Sequence, residues 1–187
     1  HHGNGTEAIF YDRADVLTIS IHQDRCYPID TGAATDIGVD RGEGYNMNIP
    51  LPPGGGHTLY LEAMERLILP RLREFQPDII IIACGFDASA IDPLARMLAT
   101  SETFGQLTKF VMGAAHELCS DRLSMIHEGG YSEVYVPFCG HRVIQELSNS
   151  SIKAEDPYKF LFESRQPSKR VQNFYSELIT ELEQFFF

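Results

Sequence analysis

The chain has 187 residues, of which 43% are hydrophobic and 22% are charged, and its formal net charge is −11. This composition excludes a disordered or fibrous chain, and the surplus of negative charge opposes direct binding of nucleic acid. The four cysteines form no C-x-x-C pair, and no apolar run approaches the roughly 20 residues that span a bilayer, so we expect a cytoplasmic protein with reduced thiols and no membrane partner.

The first part of the chain is predicted to contain a strand, two loops and a helix. Residues 16–22 (VLTISIH) are β-branched and mostly apolar, which predicts a strand. Residues 23–44 predict a loop whose length favours a functional role, and residues 50–56 predict a second loop. Residues 58–75 follow a helical pattern that Pro70 should kink. The apolar face predicted for this helix consists of Tyr60, Met64, Leu67, Ile68 and Leu72.

A buried strand and a second helix are predicted next. Residues 79–84 (IIIIAC) form a continuous apolar run, which is typical of a strand that is buried on both faces of a parallel sheet. Residues 85–101 predict a loop, and residues 103–119 predict a helix. The apolar stripe predicted for this helix consists of Phe104, Leu107, Val111, Ala115 and Leu118.

The last part of the chain is predicted to hold a short strand at residues 123–127 and helices at residues 138–147 and 168–187. The intervening residues 128–137 and 148–167 are predicted to be irregular. Strands that alternate with helices favour an α/β fold with a parallel sheet, in which ligands bind beyond the carboxyl ends of the strands. The apolar side predicted for the final helix consists of Val171, Phe174, Leu178, Leu182 and Phe185.

Three short segments carry side chains suited to chemistry. The opening HHGNGT offers imidazoles, which bind metals, although two terminal histidines are equally typical of a purification-tag remnant. Asp87 follows the buried strand, where it is either a hard oxygen ligand or a cap for the next turn. In HEGGY, Tyr131 offers a hydroxyl to an oxyanion, or its ring packs beneath a glycine turn. The G-x-S-x-G, H-E-x-x-H and P-loop patterns are absent from the sequence, so the chemistries of those motifs are not predicted.

Together with their surroundings, these segments resemble the histone deacetylase family, specifically its bacterial amidohydrolase and class II branch. HHGNGT, LTISIH, GEGYNMNIPLPPG, ACGFDASAIDPLARM and HEGGYSEVYVPF follow the family's order and spacing over residues 1–147. The resemblance implies an arginase/deacetylase-like α/β fold, a parallel sheet flanked by helices. We expect residues 1–187 to be a partial catalytic domain that lacks its N-terminal part, with residues 148–187 as a C-terminal loop and helix.

The resemblance also implies which residues form the site. His1 and Asp87 match two of the three protein ligands of a catalytic zinc ion. The third ligand would be an aspartate two residues before His1. Tyr131 matches the residue that stabilises the oxyanion. The walls and rim of the substrate channel would be formed by Tyr27, Leu94, Gly129 and Gly130.

Potassium ions are implied as a second, structural type of cofactor. The inner site would be formed by Ser20 with the carbonyl oxygens of Ile21 and His1. The outer site would be formed by backbone carbonyl groups, which constrain side chains weakly. These carbonyl groups belong to Phe10, Arg13, Val16 and Tyr45.

The implied activity is zinc-dependent hydrolysis of an acyl amide on lysine or a similar amine, with an acylated peptide or amine as the partner. An acetylpolyamine amidohydrolase and a non-catalytic relative that binds ligands or partners remain alternatives. The family's general-base histidine pair is absent, since His22, His57, His116, His127 and His141 do not match it. We therefore expect residues 1–187 alone to be inactive and, with an exposed sheet edge, to fold poorly. A homo-oligomer formed through residues 185–187 is left open.

Overall fold

The computed structural model describes residues 1–187, and these divide into two compact units, residues 1–53 and residues 54–187. The two units are described separately below. Among residues 1–187, no helix combines the length and the apolar character that a membrane crossing requires.

The first unit contains two parallel strands, β1 (Thr18–Gln23) and β2 (Asn46–Leu51). A short helix, α1 (Asn4–Phe10), precedes β1, and a 3₁₀ turn (Asp40–Gly42) lies in the loop that joins the strands. The predicted strand and long loop are confirmed. The prediction missed β2, and Pro50, which was assigned to a loop, pairs with His22 in the strand register. Proline is tolerated there because a strand with one neighbour leaves some N–H groups outside the ladder.

The second unit opens with one continuous helical segment that contains α2 (His57–Ala63), a π turn (Met64–Ile68) and α3 (Leu69–Phe75). In the π turn the Leu69 N–H donates to the Met64 carbonyl oxygen, five residues back. Pro70, which has no N–H to donate, follows this wider turn directly, so the predicted irregularity takes the form of a π turn. The predicted apolar face is confirmed, since it is buried at Tyr60, Met64, Leu67, Ile68 and Leu72.

Strands β3 (Ile80–Cys84) and β4 (Leu123–His127) pair in parallel, with Ile80 opposite Leu123. The predicted parallel arrangement is therefore confirmed. The predicted burial of this strand on both of its faces is wrong, because Ile79 and Ile81 are 52% and 61% exposed. Side chains alternate along a strand, so Ile80 lies on the face opposite to Ile79 and Ile81. A helix at Ser101–Cys119, α4, contacts both strands, and Ile80 is buried.

Four further helices complete the second unit: α4 (Ser101–Cys119), α5 (Val136–Leu147), α6 (Lys159–Ser164) and α7 (Lys169–Phe186). The predicted helices at α4, α5 and α7 are confirmed. Helix α6 lies where irregular structure was predicted, and that part of the prediction is wrong. Thr100 caps α4 by accepting a hydrogen bond from the Thr103 N–H. The stripe predicted for α4 is buried at Phe104, Val111 and Ala115 and half-buried at Leu107 and Leu118.

The buried face of α7 differs from the predicted one. Tyr175, Ile179 and Leu182 are buried, whereas Val171, Phe174 and Phe185 are exposed and Leu178 is half-buried. Of the predicted apolar side, only Leu182 is fully buried. The helix carries two apolar faces, and counting apolar positions at helical spacing does not distinguish which of them packs on the unit.

Candidate active site

The HHG segment of the first unit is held by main-chain hydrogen bonds. The His2 N–H donates to the Tyr27 carbonyl oxygen at 2.9 Å, and the Gly3 N–H donates to Ser20 Oγ at 3.2 Å. His1 is exposed, whereas His2 is only 2% exposed. The segment that begins at His1 is therefore held next to two other predicted site residues, Tyr27 in the long loop and Ser20 in β1.

Behind this segment lies a cluster of buried polar side chains around His2 and Glu7. His2 Nδ1 is 2.9 Å from Thr31 Oγ1. His2 Nε2 is 3.2 Å from Glu7 Oε2, within ion-pair distance but outside hydrogen-bond geometry. The same Glu7 oxygen accepts hydrogen bonds from Asn46 Nδ2 at 2.8 Å and Asn48 Nδ2 at 2.6 Å. This cluster fixes the histidine that follows the proposed ligand His1.

His22 extends the polar cluster toward Ser20. Its Nδ1 is 2.9 Å from Ser20 Oγ and its Nε2 is 3.0 Å from the Gly32 carbonyl oxygen. Burial, followed by the charge of nearby His2, lowers the pKa of His22 from 6.5 to about 4. His22 is therefore neutral near pH 7. Sequence reasoning assigned no role to His22 or His2.

The residues predicted to form the outer cation site lie in two places in the first unit. Phe10 and Arg13 share the turn after α1, where the Arg13 N–H donates to the Phe10 carbonyl oxygen at 3.1 Å. The Tyr45 carbonyl oxygen accepts from the Thr18 N–H at 3.0 Å, two residues after Val16. Ile21, predicted for the inner site, pairs with Ile49 in the β1–β2 register. Carbonyl oxygens have two lone pairs, so these hydrogen bonds leave acceptor capacity for a cation.

In the second unit, Asp87 lies just beyond the carboxyl end of β3, and its side chain is 7% exposed. Two main-chain bonds continue the β3–β4 ladder into the loops. Glu128 N–H donates to the Cys84 carbonyl oxygen at 3.2 Å, and Phe86 N–H donates to the Gly129 carbonyl oxygen at 2.7 Å. The predicted GFD and EGG segments are thus brought together, at the edge of the sheet where parallel strands place their ligands.

Two glycines in these loops are required by the space around them. A Cβ at Gly85 would lie 2.8 Å from Asp87 Oδ1. Gly130 has φ +131°, and a Cβ there would lie 2.9 Å from Phe86 Cβ and 3.0 Å from Val136 Cγ2. The close packing of the two loops therefore depends on missing side chains. Tyr131 follows with its side chain 52% exposed.

Asp92, which the sequence placed only within the loop of residues 85–101, connects two of the predicted site residues, Leu94 and Tyr131. Its side chain is 6% exposed. Asp92 Oδ1 accepts from the N–H groups of Leu94 at 2.8 Å and Ala95 at 3.2 Å. Asp92 Oδ2 accepts from the Tyr131 N–H at 2.8 Å. Leu94, predicted at the channel rim, is 63% exposed and is connected to Tyr131 through this carboxylate.

Only two of the predicted zinc ligands, His1 and Asp87, lie within this chain. Residues 1–187 contain no group of three His, Cys, Asp or Glu side chains that could hold a metal ion. The two predicted zinc ligands have suitable chemistry, since imidazole nitrogen and carboxylate oxygen both bind zinc. Asp87 also fits by its surroundings, because the missing side chain at Gly85 leaves room beside its Oδ1 atom. His1 belongs to the first unit and Asp87 to the second.

Comparison with known proteins gives a consistent result. The histone deacetylase domain model matches residues 1–147. A histone deacetylase-like amidohydrolase of Pseudomonas aeruginosa is 51% identical over 182 residues, which are 97% of this chain and 48% of that protein. The chain therefore spans about half the length of this relative.

Solved structures show the same fold. The structure of the histone deacetylase Clr3 matches with a TM-score of 0.80 and 30% identity, over 100% of this chain and 30% of that chain. The crystal structure of an acetylpolyamine aminohydrolase from Burkholderia pseudomallei matches with a TM-score of 0.72 and 33% identity, over 79% of this chain and 42% of that chain. The predicted deacetylase-like α/β fold is confirmed.

Proposed function

The chain belongs to the histone deacetylase family, and we propose that the full-length protein is a zinc-dependent amidohydrolase that removes acetyl or other acyl groups from lysine side chains or similar amines. The observation that carries this proposal is the pairing of two loops at the carboxyl end of β3. The hydrogen bond from the Phe86 N–H to the Gly129 carbonyl oxygen brings the segment of Asp87 beside that of Tyr131. A carboxylate and a phenol on two adjacent loops suit hydrolysis of an amide.

Asp87 and His1 are proposed to hold the zinc ion, with the aspartate that the family resemblance places upstream of His1 as the third protein ligand. When bound, zinc would supply a Lewis acid that polarises the acyl carbonyl and acidifies a water molecule. The carboxylate of Asp87 is kept in place by its burial and by the loop that begins at Gly85. The main chain next to His1 is held by the hydrogen bond of the His2 N–H to the Tyr27 carbonyl oxygen.

Tyr131 is proposed to donate its hydroxyl proton as a hydrogen bond to the oxygen that becomes negative when the amide is attacked. Tyr131 is half exposed, which is compatible with contact between its hydroxyl and a ligand. Gly129 and Gly130 would line the channel with main chain alone, and Tyr27 and Leu94 would form its wall and rim. The exposure of Tyr27 and Leu94, 71% and 63%, is compatible with contact to a substrate.

The general base is proposed to be a histidine pair outside residues 1–187. Three histidines of this chain have other surroundings. Both ring nitrogens of His22 are engaged. His57 lies 3.0 Å from Thr103, and burial lowers its pKa. His116 pairs with Asp121 on the surface. We therefore propose that residues 1–187 alone do not turn over substrate, and substantial zinc-dependent turnover by this polypeptide would contradict that proposal.

Potassium is proposed as a structural ion of the first unit. The carbonyl oxygens and the Ser20 hydroxyl described above are hard oxygen ligands, which suit a monovalent cation better than a soft metal. Exchange of potassium for a larger cation such as tetramethylammonium should lower the Tm of the full-length protein. An unchanged Tm would remove this part of the proposal.

The experiment that tests the proposed function compares Asp87→Asn with Asp78→Asn in the full-length protein. Asp87 lies beyond the carboxyl end of β3, whereas the exposed Asp78 precedes its amino end. We expect Asp87→Asn to lose both stoichiometric zinc, measured by elemental analysis, and turnover of an acetyl-lysine peptide. Asp78→Asn should keep both. A wild-type protein without stoichiometric zinc would instead favour the non-catalytic relative.

A second candidate substrate is an acetylated polyamine, favoured by the structural match to an acetylpolyamine aminohydrolase and by the net charge of −11. Competition between an acetylated peptide and an acetylated polyamine in one turnover assay would separate the two substrates. The preferred substrate is the one with the higher kcat/KM.

A further inference from the structure

Asp92 makes contacts that extend beyond its own turn. One of its carboxylate oxygens accepts from Leu94 and Ala95, two and three residues along the chain. The other oxygen accepts from the Tyr131 N–H, 39 residues away. The Asp92 N–H itself donates to the Ser89 carbonyl oxygen at 3.0 Å, which connects it to the loop that begins at Asp87.

We propose that Asp92 is a positioning residue for the deacylation reaction, which acts by fixing the main chain at Tyr131. This inference rests on the proposed function, because it concerns the residue that we assign to oxyanion stabilisation. Asp92 does not need to contact the substrate. Its role is to set the direction in which the Tyr131 side chain leaves its loop.

The surroundings of Tyr131 explain why such a tether is needed. Two glycines precede it, and glycine loses more conformational freedom on folding than any other residue. The Tyr131 side chain is 52% exposed, so packing holds it only in part. The main chain at this position is therefore held by its hydrogen bond to Asp92. An oxyanion donor must be held in place before the charge develops if it is to lower the barrier.

The chemistry of the carboxylate suits this double role. Two oxygens with several lone pairs accept from N–H groups on both sides, and bonds to a charged acceptor are stronger than neutral ones. An asparagine has one acceptor oxygen, so its amino group must face N–H donors on one side. The change from Asp92 to asparagine preserves size and removes one of the two connections.

The test is a double-mutant cycle in the full-length protein, with Asp92→Asn, Tyr131→Phe and the double variant assayed on an acetyl-lysine peptide. We expect Asp92→Asn to lower kcat about 10- to 100-fold, with a much smaller change in KM, because a displaced group impairs the transition state more than binding. In the Tyr131→Phe background the same change should lower kcat no more than about threefold, because a residue that acts through the phenol has nothing left to position.

Asp156→Asn is the matched control. The Asp156 carboxylate also connects distant segments, since Oδ2 accepts from Ser101 Oγ at 2.6 Å and from the Tyr135 hydroxyl at 2.8 Å. This control should lower the Tm without the selective loss of kcat. Amide hydrogen exchange gives a readout independent of activity, and the Tyr131 amide should exchange faster in Asp92→Asn than in the wild type.

Three results would overturn the inference. The first is an equal loss of kcat in both backgrounds. The second is a loss of kcat in Asp92→Asn that only parallels its loss of folded protein, as in the control. The third is unchanged protection of the Tyr131 amide. A wild-type protein without deacylase turnover contradicts the proposed function itself, so the two failures are distinguishable.

Discussion

The two units of the chain are stabilised by different kinds of buried side chain. Residues 1–53 bury a connected set of polar groups: His2, Thr18, His22, Asn46 and Asn48. Residues 54–187 bury mainly apolar side chains, among them Leu67, Phe162 and Ile179. A polar cluster depends on each donor having its acceptor and on the charge of each group, whereas an apolar core depends on volume. The two units should therefore respond to different perturbations.

The largest effect is expected from removing volume in the second unit. Leu67 is fully buried in the π turn, and Leu67→Ala should lower the free energy of unfolding by about 2–5 kcal/mol, through lost burial and the remaining cavity. Urea denaturation of the full-length protein, monitored by hydrogen exchange of peptides from residues 57–75, would measure it. Leu67→Met, which keeps the volume, is the control, and an equal loss in both variants would contradict a packing role.

A slightly smaller effect is expected from acid in the first unit. Because the pKa of His22 is lowered from 6.5 to about 4, the unfolded chain binds a proton that the folded chain does not between these values. Its stabilising contribution, about 3 kcal/mol, is present above pH 6.5 and is lost as the pH falls toward 4. His22→Gln should flatten the dependence of stability on pH in this window. The exposed His116 is the control, and a similar flattening in His116→Gln would contradict the assignment.

Glu7→Ala would test the polar cluster by removing an acceptor. The Glu7 carboxylate accepts from the side-chain amides of Asn46 and Asn48, and its loss should lower the free energy of unfolding by about 2 kcal/mol. Glu7→Gln, which keeps one acceptor oxygen, should cost less. Thermal unfolding of the two variants would give the difference. If both variants lose the same stability, the charge of Glu7 matters rather than its hydrogen bonds.

The smallest effect is expected on the exposed side of α7. Phe174 is 60% exposed, so Phe174→Ser should change the free energy of unfolding by no more than about 0.5 kcal/mol. Ile179→Ala, on the buried side of the same helix, should cost several times more. Thermal unfolding checks both. A large loss of Tm in Phe174→Ser, together with a change in oligomeric state, would instead indicate a subunit interface.

The sequence allowed the elements to be predicted where a single pattern dominates. The run at residues 79–84 and the face of the helix around Leu67 are such cases. The prediction of elements was wrong where two patterns compete. The alternating asparagines and Pro50 concealed β2, because its inward side chains are partly polar. Helix α7 has two apolar faces, and the choice between them depends on tertiary packing.

The sequence identified residues of the candidate site but not the hydrogen bonds that connect them. Asp87 and Tyr131 were identified through the family resemblance, and the structure brings their loops together. Asp92 was included only in the predicted loop of residues 85–101. Its second oxygen bonds to a residue 39 positions away, and no local pattern predicts so distant a partner. The buried surroundings of His2 and His22 were missed for the same reason.

The bonds that continue the β3–β4 ladder past the strands involve only peptide groups, Glu128 N–H to Cys84 and Phe86 N–H to Gly129. Hydrogen bonds between main-chain groups form whatever side chain a non-proline residue carries. The exposed Glu128 can therefore be exchanged for other residues while the two loops keep their alignment. For protein engineering, this makes Glu128 a position where the surface beside the proposed site can be altered by substitution without rebuilding the scaffold.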